Sequence, residues 1–144
     1  MPDEHSRPKE RWSSGSAYVW DYGGEMLMMR HFWDAAAELD PAAGDLDEGK
    51  RFSVCTTDRL RALFESAGLA AVETRAIDIA TVFRDFDDYW SPFLGGTGTA
   101  PTYVASLTDG RRSALREHLR SRLPASSDGA IRLIARANAV RGVR

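Results

Sequence analysis

The sequence predicts an α/β fold built as a single domain, and three observations carry that prediction. Segments rich in β-formers alternate along the chain with amphipathic helical segments. Glycine, proline and aspartate punctuate the junctions between them. The 144 residues, 43% hydrophobic and 28% charged, match an ordinary globular domain that buries about 68–70% of its unfolded surface.

Residues 1–16 read as a flexible tail, with Pro2, Pro8 and the Ser13-Ser14-Gly15-Ser16 run set among charges and only Trp12 to bury. The folded domain is expected over residues 17–144. Ala17–Tyr22 (AYVWDY) is the first strand, closed by Gly23-Gly24. Glu25–Leu39 is a helix, because Met26, Met29, Phe32, Trp33, Ala36 and Leu39 recur at three-and-four spacing, and Asp40-Pro41 stops it. Residues 40–53 are polar and predict a loop. Asp58–Ala67 is a second helix with Thr57 as its N-cap, a Leu60/Leu63/Phe64/Ala67 stripe and Gly68 as its left-handed stop.

Ala71–Thr81 follows as a strand. Asp85–Leu94 (DFDDYWSPFL) predicts one or two short helices whose Phe86, Tyr89, Trp90 and Phe93 share a face, and Gly95, Gly96 and Gly98 then break the chain. Thr102–Leu107 predicts a helical turn. Asp109–Leu123 is a helix with Leu115, Leu119 and Leu123 inward and arginines outward. Asp128-Gly129 turns into a last strand, Ile131–Val140.

Composition excludes several classes. No apolar run approaches the ~18 residues of a membrane span. The charged start, MPDEHSRPKERW, has no apolar core of a secretory signal. The lone Cys55 cannot form an internal disulfide, which points to a reducing, cytoplasmic setting. With 19 basic against 21 acidic residues the net charge is −2, so nucleic acid is not an expected partner, although arginines crowd residues 111–144. No zinc, P-loop or dinucleotide motif is present. Asp85, Asp87 and Asp88 fit a helix N-terminus without a metal. Phe83, Phe86, Tyr89, Trp90 and Phe93 read either as core or as walls of an apolar ligand pocket.

Three stretches carry a resemblance. AYVWDY with its following helix, the element LRALFESAGLAAVETRAI, and DFDDYWSPFLGGTG before a terminal helix and strand resemble the C-terminal half of a class I S-adenosylmethionine-dependent methyltransferase. The small-molecule enzymes related to ubiquinone and menaquinone biosynthesis are most similar, and the likeness runs from about Gly15 to Gly142. The resemblance implies a partial Rossmann-like sheet in which Ala17–Tyr22, Ile131–Val140 and Ala71–Thr81 stand for strands 5-7-6, the seventh antiparallel, under an α-helical lid.

It also implies that the first four strands, which hold the cofactor in that family, lie outside this sequence. The chain alone is therefore expected to bind no cofactor and to behave as a truncated, inactive transferase fragment. What it retains is the acceptor side, beyond the carboxyl ends of the strands. The expected substrate-binding residues are Trp20, Asp21 and Tyr22, then Met26 and Met29, then Phe83, Phe86, Tyr89, Trp90 and Phe93. Asp21 or Tyr22 would orient an acceptor or remove its proton. The bare edge of strand five predicts a homodimer, formed through Ala17–Tyr22 or by exchange of residues 24–53, or else a separate cofactor-binding chain. Alternatively, the chain is a non-enzymatic dimer that holds an apolar small molecule.

Overall fold

The computed structural model describes residues 13–144. It is an α/β arrangement of one three-stranded antiparallel sheet with helices on both faces. The strands are β1 (Ser14–Trp20), β2 (Ala70–Phe83) and β3 (Ile131–Val143). The helices are α1 (Leu27–Leu39), α2 (Glu48–Arg51), α3 (Thr57–Ser66), α4 (Phe86–Trp90), α5 (Thr99–Ser106) and α6 (Asp109–Arg122). The sheet order is β1-β3-β2, so the segments around 71–81 and 131–140 lie side by side and antiparallel, as expected.

β2 and β3 run further than the sequence pattern suggests, whereas β1 starts earlier, at Ser14, and stops at Trp20, because Asp21 and Tyr22 enter the turn that follows. Ser14, Gly15 and Ser16 belong to β1, not to a tail, because they pair with Val143, Gly142 and Arg141. The remainder of the expected tail, residues 1–12, lies outside the described residues. One extra residue in β2 between Ala70 and Glu73 makes a bulge, with Ala71 in the left-handed region at φ 49°.

The loop expected over residues 40–53 is instead a series of short turns. A 3-10 turn over Pro41–Leu46, helix α2 and a 3-10 turn at Ser53–Cys55 fill it. Helix α3 is capped by Thr56, one residue before the expected cap, whose hydroxyl accepts the Arg59 N–H at 3.3 Å. Gly68 ends the turn after α3 at φ +83°.

β3 buries opposite faces in its two halves. Ile131, Leu133, Ala135 and Ala137 are buried on one face, where the core contains Phe32, Trp33, Leu115 and Leu119. Asn138, Val140 and Gly142 are buried on the other, beneath α3, where Leu69 and Val72 press on Gly142. The first core is the larger and ties α1, α4, α5 and α6 together.

Ion pairs stitch the helices from outside. Glu38 on α1 accepts from His118 at 2.7 Å and from Arg122, both on α6. Asp87 on α4 pairs with Arg116 at 2.6 Å, while Arg116 and Arg120 lie over the Phe86 ring at 5.2 and 4.4 Å. Arg132, Arg136 and Arg141 pair with Asp128, Asp78 and Glu73. Much of the arginine-rich segment is thus matched by carboxylates within the same molecule.

Two measurements test this packing. Leu119→Ala empties a fully buried site and lowers stability by about 3 kcal/mol, whereas Leu94→Ala at an exposed site costs about 0.5 kcal/mol or less; denaturant midpoints separate them. Acid also weakens the fold. Burial, opposed by Asp34 and reinforced by Arg122, holds the His31 imidazole below its ordinary value. Hydrogen bonds from Arg122 and His118 hold Glu38 low, and the one from Arg136 does the same for Asp78. All three groups take up protons more readily when unfolded, so stability falls from about pH 6.5 downward through His31 and again below about pH 4.5 through the carboxylates. Urea titrations across pH 7 to 3 read both steps.

Candidate functional site

The carboxyl end of β1 is where the acceptor site is expected, and it is densely organised. Past Trp20 the chain turns tightly. The Asp21 N–H donates to the Arg136 carbonyl at 2.9 Å, and the Asp21 carbonyl accepts from Gly24 and Met26 at 3.0 and 3.1 Å. The Asp21 carboxylate accepts the Glu25 N–H at 2.9 Å. It crowds Gly24 so closely that a Cβ there would lie 2.4 Å from Oδ2 and push the carboxylate aside. Asp21 is thereby committed to the turn. Met26 continues the ladder as an isolated bridge to Ala135, and Met29 packs against the main core.

Behind the turn lies a buried polar network that the sequence pattern did not single out. Arg30 of α1 reaches across to Asp47 with a two-pronged contact, at 2.9 and 2.6 Å, and also donates to the Tyr22 carbonyl at 2.9 Å and to Asp34 at 3.1 Å. Asp47 is only 3% exposed and also accepts the Gly49 N–H at 2.8 Å. The hydrogen bond to Asp47 raises the Arg30 guanidinium above its ordinary value, so the guanidinium stays charged. Glu48, 8% exposed, accepts the Trp33 indole N–H at 2.5 Å. Asn138 of β3 donates to the Cys55 carbonyl at 2.6 Å and pins the turn before α3 to the sheet.

The protonation states limit the chemistry. Burial, with help from Glu48 and Cys55, pushes the Tyr22 phenol up, so it is a hydrogen-bond donor at neutral pH and not a base. Burial also pushes the Cys55 thiol up, with the Asp21 carboxylate adding to the effect, against a lowering contact from the Tyr22 backbone. Cys55 is then a neutral thiol without nucleophilic character. The cluster is suited to holding and orienting groups, not to covalent attack.

Of the ten expected site residues, Trp20, Asp21 and Tyr22 gather at the end of β1. The aromatic set does not open toward them. Phe83, Phe86, Tyr89, Trp90 and Phe93 are all buried and close on Phe32, with Phe32 and Phe93 stacked at 4.4 Å and Phe83 edge-on to Tyr89 at 5.3 Å. The Tyr89 hydroxyl, raised strongly by burial, donates to the Met28 carbonyl at 2.8 Å. These rings form closed core instead of an open pocket wall, because α6 clamps α4 from the outer side. The neighbouring acids are consumed locally: Asp85 accepts the Asp88 N–H at 2.8 Å and Asp88 accepts the Arg84 N–H at 3.0 Å. Among the described residues no His, Cys, Asp or Glu group is arranged to hold a metal, and no helix is long and apolar enough to cross a membrane.

A concavity of about 650 Å³ lies over the middle of β1, open to solvent and lined by Tyr18, Arg61, Glu73, Arg75, Ala139 and Arg141. No local motif marks it, since its residues come from three strands and one helix. Neither a family model nor a curated protein sequence matches the chain.

Removing one member of the network gives a direct test. Asp47→Ala strands a half-buried guanidinium and destabilises by about 3 kcal/mol, whereas Asp34→Ala removes an exposed same-helix partner and costs about 0.3 kcal/mol. Chemical denaturation of both variants distinguishes them.

Proposed function

We propose that this chain is the acceptor-side half of an S-adenosylmethionine-dependent small-molecule methyltransferase and that it turns over no substrate by itself. The observation that carries the reading is the threading of the sheet. A strand that closes on a Gly-Gly turn, a later strand and a final strand inserted antiparallel between them agree with strands five, six and seven of the family the sequence resembles. In this reading Trp20, Asp21 and Tyr22 line the acceptor side. Asp21 holds the turn, and Tyr22 offers a neutral hydroxyl to orient an acceptor. Methyl transfer needs alignment and exclusion of water more than a protein nucleophile, which suits a site without an activated side chain.

The residues present do not fit the cofactor as that family holds it. The polar atoms at the end of β1 are engaged with their own chain: Asp21 with Glu25, and Arg30 with Asp47 and Tyr22. The open concavity lies over the middle of the strand, at Ser16, Ala17 and Tyr18, and not at its carboxyl end. In this reading a second chain completes the unit, through the exposed strand edge or by exchange of residues 24–53, or as a separate cofactor-binding partner.

A second reading, a non-enzymatic dimer that holds an apolar molecule, has one observation in its favour. A cavity of about 170 Å³ sits between α1, α5 and α6 among Ala36, Leu39, Tyr103, Leu107 and Leu115, with Asp40 and Arg111 also lining it.

Calorimetric titration with S-adenosylmethionine and S-adenosylhomocysteine tests the proposal. The expected result is no heat of binding from the chain alone and no methyl transfer to phenolic or quinol acceptors. Micromolar binding by the isolated chain would overturn the assignment of an acceptor half that lacks its own cofactor site.

A further inference from the structure

β1 is an edge strand: among the described residues its one strand neighbour is β3. Its seven residues, Ser14–Trp20, include no charge and no proline. The other edge strand, β2, carries Glu73, Arg75 and Asp78. Charge and proline are the usual protection against edge-to-edge pairing, so only β1 presents an unprotected edge.

Which strand would fit it is written in its own residues. When a strand pairs antiparallel with a copy of itself, each residue faces the one equally far beyond the two-fold axis. With the axis at Ala17 all seven residues are engaged. Trp20 then faces Ser14 of the second copy, Tyr18 faces Ser16, Val19 faces Gly15, and Ala17 faces itself. Every bulky side chain is opposite a small one, and no charge meets its twin. Shifting the axis to Ser16 or Tyr18 leaves residues unpaired.

The side chains are placed for this. Ser14, Ser16, Tyr18 and Trp20 are exposed on one face of β1, with Tyr18 at 79% and Trp20 at 39%. Directly opposed and diagonal pairs on one sheet face are in contact range, so the two Tyr18 rings and two Trp20 rings would share one row. Ala137 and Ala139 on β3, the partners of Trp20 and Tyr18, leave that row room to lie flat.

We propose that two copies of this chain join by antiparallel pairing of β1 about a two-fold axis at Ala17, fusing their sheets in the order β2-β3-β1-β1-β3-β2. The proposal rests on the strand alone and not on the methyltransferase reading.

Light scattering on the full chain and site-directed cross-linking test it together. The expected mass is twice that of one chain. Ala17→Cys should oxidise to a covalent dimer, because the paired Cα atoms fall within disulfide range. Ser16→Cys and Tyr18→Cys, both at exposed sites, should each stay largely uncross-linked alone and form a covalent dimer when mixed. Native Cys55 is buried and serves as the internal control. A monomeric mass at the highest attainable concentration overturns the proposal. So does a dimer in which the mixed Ser16/Tyr18 variants fail to link, since these exposed changes leave the fold intact. Cofactor titration is read separately, so failure of one idea leaves the other standing.

Discussion

The central strand β3 forms backbone ladders along both edges while it changes the face it buries half-way along. Its first half offers Ile131, Leu133, Ala135 and Ala137 to the aromatic core, and its second half offers Asn138, Val140 and Gly142 to the α3 side. Strand β2 follows it on both sides, reaching α3 near Val72 and the aromatic core at Phe83. The alanines on β3 suit this double duty, because small side chains let β1 and α1 approach one strand closely. The helices have few alternatives once that strand is placed.

The polar chemistry obeys a similar constraint. A guanidinium, an indole N–H and an amide from the sheet each have a partner in the segment between α1 and α3. Directed hydrogen bonds hold that segment alongside the apolar contacts of buried Ala43 and Cys55. A buried pair of this kind adds modest net stability compared with apolar packing, but breaking it is costly. The end of β1 is therefore rigid, and rigidity at a strand's carboxyl end suits a surface that orients a bound group.

Periodicity made the long helices and the positions of the strands along the chain legible in the sequence. Leu115, Leu119 and Leu123 marked α6, and the alternation from Ile131 marked β3. What escaped was set by distant partners. Ser14-Gly15-Ser16 has no strand propensity of its own and becomes strand only because the end of β3 pairs with it. Asp47 and Glu48 look like loop residues, yet they are buried because Arg30 and Trp33, remote in sequence, turn toward them. The stripe of Phe86, Tyr89, Trp90 and Phe93 enters one core, as its spacing predicts. Whether that face closes on itself or opens to a ligand depends on α6, whose arginines clamp it through Phe86 and Asp87. Spacing within a single helix carries no such information.

The sheet order also sets a timetable for folding. β1 and the strand that completes it are separated by more than a hundred residues, with every helix between them. A ribosome would release β1 long before its neighbour exists, and contacts this remote in sequence close slowly. During that interval the uncharged strand waits with both edges bare, beside helices that already form locally. Slow, concentration-sensitive refolding is the physical consequence of placing the last strand in the middle.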